Sequence, residues 1–265
     1  MPFRFLPATC FLLGCLLAPQ ALAQDFAVLA SPPRIEAQAR AGETYRNVIE
    51  LTNVSPLATP ITVRTADWSL EPAGTAAFDY ALTAGSCRPW VGIEARELTL
   101  GPQAKRRFRF EVNVPADAPR GECRFAIMFE GAAQAAPGDV PVPVSGRLGI
   151  IVYLAIGDAA PFLSVNESRS ADVQGVRLPV LSISNTGDAH GRLEGFVDGT
   201  DADGTRFTFS PATTPIMPGE TRPIALMPVL DDAGTPVPPI RFPLTIKGRL
   251  DNGSQRLDID TVVAP

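Results

Sequence analysis

Phe108, Phe110, Val112 and Val114 recur at every second position, and so do Cys123, Phe125, Ile127 and Phe129. A repeat of two is that of a strand, whose successive side chains point to opposite faces, and it cannot line up on one side of a helix. Comparable short runs follow one another along the chain, and 27 prolines and 22 glycines punctuate them. Helical periodicity is nearly absent after the first residues. Many short alternating runs between turn residues predict an all-β protein of the sandwich type.

The runs fall into two series. Strands are expected at 34–39, 45–53, 61–68, 90–94, 97–100, 107–114, 122–130 and 146–156, then at 162–165, 176–185, 191–198, 206–210, 221–227, 241–250 and 256–263. Gly157-Asp158-Ala159-Ala160-Pro161 between them reads as a hinge. The halves echo each other: Leu51-Thr52-Asn53 matches Ile183-Ser184-Asn185, and Leu98-Thr99-Leu100-Gly101-Pro102 matches Ile216-Met217-Pro218-Gly219-Glu220. A duplicated sandwich accounts for both echoes, giving two immunoglobulin-like domains in tandem at 24–157 and 158–265. Asn53 and Asn185 are expected at turns, where asparagine bonds its own backbone and tolerates left-handed conformations.

Residues 1–23 carry Arg4, an apolar stretch through Phe11 and Leu17, and a closing Ala21-Leu22-Ala23. That is the pattern of a cleaved signal peptide, and no later segment has the length of a membrane span. The alternative is lipid anchoring at Cys15. Cleavage after Ala23 removes Cys10 and Cys15 from a chain with four cysteines and leaves Cys87 and Cys123. In an oxidising compartment these two predict one disulfide; two free thiols or half a metal site is the alternative, but no CxxC spacing accompanies them.

The net charge of −5 argues against nucleic acid as a partner. Lys105, Arg106, Arg107 and Arg109 crowd one segment but alternate with Phe108 and Phe110, which makes them the solvated face of a strand. The one histidine, His190, stands among turn residues and is read as a surface histidine, so no catalytic residue is expected. No cofactor and no metal site are expected either. Asp198, Asp201 and Asp203 lack the closing glutamate of a calcium loop and read as a solvated hairpin. Trp68 and Trp90 are expected in the first core.

The stretch 140–156 carries the strongest hint of function. Val140, Val142, Val144, Leu148, Ile150, Val152 and Leu154 form a single apolar row, too long for the edge of one domain. Pro141 and Pro143 restrict its first part to an edge, since proline cannot donate to a ladder. Such an edge can add itself to a partner's incomplete sheet, main chain giving affinity and side chains giving selectivity. The alternative is that the prolines protect the edge from aggregation.

This layout resembles the periplasmic chaperones of the chaperone-usher pilus pathway. The resemblance implies two immunoglobulin-like domains behind a signal peptide, a periplasmic location, no enzymatic activity, and pilus-type or other exported subunits as partners, with an outer-membrane usher as a further partner. The donor strand would carry Val140, Val142, Val144, Leu148 and Ile150. Pro33-Arg34-Ile35 matches the first-strand position whose arginine anchors a subunit's terminal carboxylate. The family's second anchoring cation, a lysine, falls near Ile151, and Arg147 is its displaced substitute. The competing reading is a non-catalytic structural or adhesive envelope protein whose sandwiches are spacers; a carbohydrate-acting enzyme is a third.

Overall fold

The computed structural model describes residues 26–132, 134–135, 143–230 and 237–265. The expected signal segment with Cys10 and Cys15, and Val140 and Val142, lie outside the described residues. The first half contains β1 (Val28–Ser31), β2 (Arg34–Ala39), β3 (Thr44–Asn53), β4 (Thr59–Leu70), β5 (Ala76–Asp79), β6 (Val91–Ile93), β7 (Glu97–Leu100), β8 (Lys105–Asn113), β9 (Gly121–Gly131), β10 (Gln134–Ala135), β11 (Pro143–Val144) and β12 (Arg147–Ile156). The second contains β13 (Leu163–Val173), β14 (Val176–Asn185), β15 (Glu194–Thr200), β16 (Arg206–Pro211), β17 (Thr221–Pro228), β18 (Leu244–Asp251) and β19 (Arg256–Val263).

In the first half, a sheet ordered β1-β3-β8-β6 faces one ordered β2-β12-β9-β4-β5, with β7 also on β4. The two alternating rows meet between the sheets. Phe108 crosses Phe129 edge-on at 5.2 Å and Phe110 crosses Phe125 at 6.3 Å. All eight residues of those rows are buried, as their period requires. Pro32 and Pro33 cannot donate to a ladder, and the first strand breaks there: β1 pairs with β3 in one sheet, β2 with β12 in the other.

The second half is one sheet ordered β13-β14-β17-β16-β15-β18-β19, curled so that Ser168 on β13 and Thr261 on β19 share a hydroxyl hydrogen bond at 2.6 Å. Phe209, Leu181, Ile183, Leu226, Ile246 and Leu250 fill its interior. Together the halves form an all-β protein of two immunoglobulin-like sandwiches. Strands β1 and β5 had no counterpart among the expected strands, and β13 runs well past its expected end at 165. Gly191, expected in a strand, makes an isolated bridge to Ile216 instead.

The sequence echoes have a common structural cause. Asn53 is fully buried; its Nδ2 donates to the carbonyls of Leu57 (2.8 Å) and Gly101 (2.9 Å), and its Oδ1 accepts from the Ser55 amide. Asn185 does the same with Ala189 (2.8 Å), Ile216 (2.9 Å) and the Gly187 amide. Each asparagine stitches a strand end to the loop that lies beside it. Neither has positive φ, so left-handed tolerance is not what places it there.

Trp90 packs on the first core, whereas Trp68 does not. It lies on the outer face of the second sheet, with Phe78, Tyr80, Ala66, Ala126 and Met128 in a satellite cluster under the β4–β5 hairpin. The period-two alternation along β4 points Ala66 and Trp68 away from Ile61 and Val63, which explains the difference. Cys87 and Cys123 form the expected disulfide, joining the segment before β6 to β9. The cationic face of β8 is solvated, with Lys105 paired to Glu50 and Arg106 to Glu94.

Candidate functional site

Strand β12 pairs with β9 along its whole length, from Arg147 opposite Glu130 to Ile156 opposite Gly121. On its other side, β2 joins in parallel only at Ile151, which is in register with Arg34. Among the described residues, no strand pairs with the Arg147–Ile150 stretch on that side. A strand added there would run in the lane that β2 takes over at Arg34.

The expected donor residues divide at this point. Ile150 is 1% exposed, and Val152 and Leu154 are fully buried. Their side chains belong to the chain's own core, because the inward face of β12 lies over the sandwich interior. Ile150 therefore offers a partner only its main chain. Leu148 is half-buried against the same core. Val144 lies in β11 opposite Gln134.

Arg34 is half-exposed and its Nε donates to Glu36 Oε1 at 2.8 Å. Arg147 is exposed and stands opposite Glu130. It lies four residues up β12 from Ile151, about 13 Å at strand rise, so it does not converge with Arg34 on one carboxylate.

A cation that sequence reasoning did not find does converge. Arg192, in the loop before β15, reaches across from the second sandwich: its Nη1 lies 2.5 Å from Glu36 Oε1, its Nη2 donates to Tyr153 Oη at 3.1 Å, and its Nε donates to the Thr213 carbonyl. Glu36 thus accepts from Arg34 and Arg192 together. The His190 ring 3.6 Å away and the Arg192 guanidinium hold its carboxyl down at about 2, against the opposing effect of burial.

His190 is not a surface residue. Its side chain is 10% exposed, its ring stacks on Tyr153 at 3.7 Å, and its Nδ1 lies 2.5 Å from Glu122 Oε2. The 185–192 loop is held in place by the linker: Thr186 N–H donates to the Phe162 carbonyl and Asp188 N–H to the Ala160 carbonyl. Gly187 must be glycine there, since a Cβ would run into the Ala160 carbonyl. Arg120 pairs with Asp188 at 2.5 Å beside it. A second bridge between the sandwiches is Arg222 on β17, 5% exposed, which donates to the carbonyls of Glu71, Pro72 and Leu70 at the β4–β5 hairpin. The turn composition around His190 gave no sign of any of this, because Glu122, Tyr153 and Glu36 come from strands of the other sandwich.

The Asp198–Asp203 segment is a hairpin in which Asp201 accepts the amides of Asp203, Thr205 and Arg241. Among the described residues, no group of three or more histidine, cysteine, aspartate or glutamate side chains is placed to hold a metal ion. No helix among them is long and apolar enough to cross a membrane.

Two tandem immunoglobulin-like sandwiches with a half-free strand edge define the class of this protein. No protein-family model matches the chain, and no curated protein does. Solved structures similar to it include those of several chaperones. The YadV chaperone is 8% identical, covering 89% of this chain and 99% of its own, with a TM-score of 0.48. The SafB chaperone of Salmonella enterica, in complex with the SafA pilin, is 11% identical over 90% of this chain and 98% of its own, with a TM-score of 0.47. The class 5 fimbriae chaperone CfaA is 12% identical over 90% and 99%, with a TM-score of 0.46.

Proposed function

We propose that this protein is an exported, non-enzymatic chaperone or assembly factor that binds pilus-type or other exported subunits by strand addition. The observation that carries this reading is that, among the described residues, no strand pairs with Arg147–Ile150 on the side of β12 where Arg34 follows. A client strand laid in that lane gains main-chain hydrogen bonds from β12, and a carboxylate at its end meets the half-exposed Arg34 guanidinium. Val140, Val142 and Val144 are the side chains proposed for the client, each contributing about 1.5 to 3 kcal/mol gross when fully buried, while Leu148, half-buried against the core, has only its exposed part to add. Arg34 is the carboxylate anchor and Arg147 a peripheral cation.

The disulfide between Cys87 and Cys123 supports an oxidising compartment outside the cytoplasm, the periplasm, as the place of work. The test is mass spectrometry of proteins that co-purify with the tagged chain from the periplasm. Wild type is expected to bring down an exported subunit, and Val142→Asp, Val144→Asp and Arg34→Ala to lose it while staying folded. A stable homo-oligomer with no client, or full client recovery in all three variants, overturns the proposal in favour of a structural envelope protein.

A further inference from the structure

The boundary between the sandwiches holds a buried carboxylate that needs a cation. Glu122, on β9, has a side chain 3% exposed, and its Oε1 has no hydrogen-bond partner among the described residues. A buried carboxyl group is costly to leave without a cation or hydrogen bonds. Arg124, on the same strand, offers its Nε at 3.6 Å. The rest comes from the second sandwich, where His190 donates its backbone N–H at 3.0 Å and presents Nδ1 at 2.5 Å to Glu122 Oε2.

The two ring nitrogens behave differently. Nδ1 faces an acceptor in either charge state, since a carboxylate accepts and does not donate. Nε2 faces two groups of opposite demand: Arg192 Nη1, a donor, at 2.8 Å, and Glu36 Oε1, an acceptor, at 3.6 Å. A neutral ring accepts from Arg192, a neighbour on its own loop. A protonated ring cannot, and must turn its new N–H to Glu36, on β2 of the first sandwich. We propose that His190 is an acid-operated latch between the two sandwiches, in which the imidazolium holds Glu122 and adds its own tie to Glu36 beside that of Arg192, and the neutral ring gives up that added tie.

The charged and titratable groups around the ring are Glu122 and Arg124 from β9, Glu36 from β2 with Arg34 bonded to it, Tyr153 from β12, and Arg192 and Asp188 from its own loop, the last paired to Arg120. Burial lowers the ring's basicity, but the carboxylates of Glu122 and Glu36 raise it by more, so the net shift is upward from 6.5. A folded-state value raised above the unfolded one means that the contact is fully present below 6.5 and is lost as pH rises through the folded value. The latch is closed in mild acid and opens toward alkaline pH. Its operation does not depend on any client.

Because the chain has one histidine, its ring protons give a single titrating NMR signal. Spin labels at Arg107→Cys on β8 and Arg256→Cys on β19 report the distance between sandwiches. The expected result is a midpoint above 6.5 and a distance distribution that is narrow near about pH 5.5 and broader near about pH 9. His190→Gln should give the broader distribution at both. Glu36→Gln should leave the ring titrating while the distances stop following it, which separates a latch from general loosening. A midpoint below 6.5, wild-type distances that ignore pH, or His190→Gln distances that follow pH as wild type does would each overturn the proposal.

Discussion

Arg34 and Ile151 stand side by side at the first register position of the parallel β2–β12 pair. The cation and the apolar side chain therefore mark the point where the free lane along β12 ends. Pro33, next to Arg34, is one reason the pairing starts there, since it has no N–H to give β12.

That neighbour relationship makes Ile151→Lys a gain-of-function test. An ammonium beside the Arg34 guanidinium would add a charge-assisted hydrogen bond to the carboxylate of the proposed client, worth about 1 kcal/mol at a partly exposed site. The expected outcome is roughly fivefold tighter binding of the co-purified subunit, measured by calorimetric titration. Unchanged or weaker binding would mean that Ile151 serves as an apolar contact.

Asn53 and Asn185 are structural stitches, so their loss should be costly at a distance from any binding surface. Asn53→Ala orphans two carbonyls and one amide in a fully buried site. A loss of about 2 to 4 kcal/mol is expected, read as a lowered denaturant midpoint. Asn185→Ala should behave alike, and Asn53→Asp should be worse at neutral pH because a carboxylate cannot donate to the two carbonyls.

The disulfide closes a loop with a sequence separation of 36 between two buried sulfurs. Replacing both cysteines by alanine should lower the stability of the first sandwich by on the order of 3 to 4 kcal/mol. Unfolding curves with and without reductant check it: wild type should shift on reduction, the double variant should not.

Acid should also weaken the site around Asp67. Burial pushes its carboxyl up, but the Ser86 hydroxyl, the Thr83 amide and hydroxyl and the Arg88 guanidinium outweigh that and hold it below 3.8. A depressed carboxylate contributes stability above its unfolded value and loses it as pH falls through the folded one. The stability gap between wild type and Asp67→Asn should therefore be full at neutral pH and shrink below 3.8. A gap that persists at lower pH would assign the site's value to shape alone.

Local pattern carried far in this protein. The period of two in β8 and β9 is a property of neighbours in sequence, so the sandwich class, most strands and the inward rows could be read directly. So could the paired asparagine echo, because the same stitch recurs in both halves, and the disulfide, because so few thiols compete. Strand β5 escaped notice because Ala76-Ala77-Phe78-Asp79 shows no alternation; it exists by pairing with β4.

What the sequence alone determined is which residues share a face along each strand, since that follows from backbone geometry. Only the tertiary structure decided where β2 stops pairing with β12, which of the apolar row falls over the core, and which charges meet between the sandwiches. Glu36, Glu122, Tyr153, His190 and Arg192 lie on separate strands and a loop. Their meeting depends on how two sheets and two halves dock, an interaction between distant segments on which no local repeat bears.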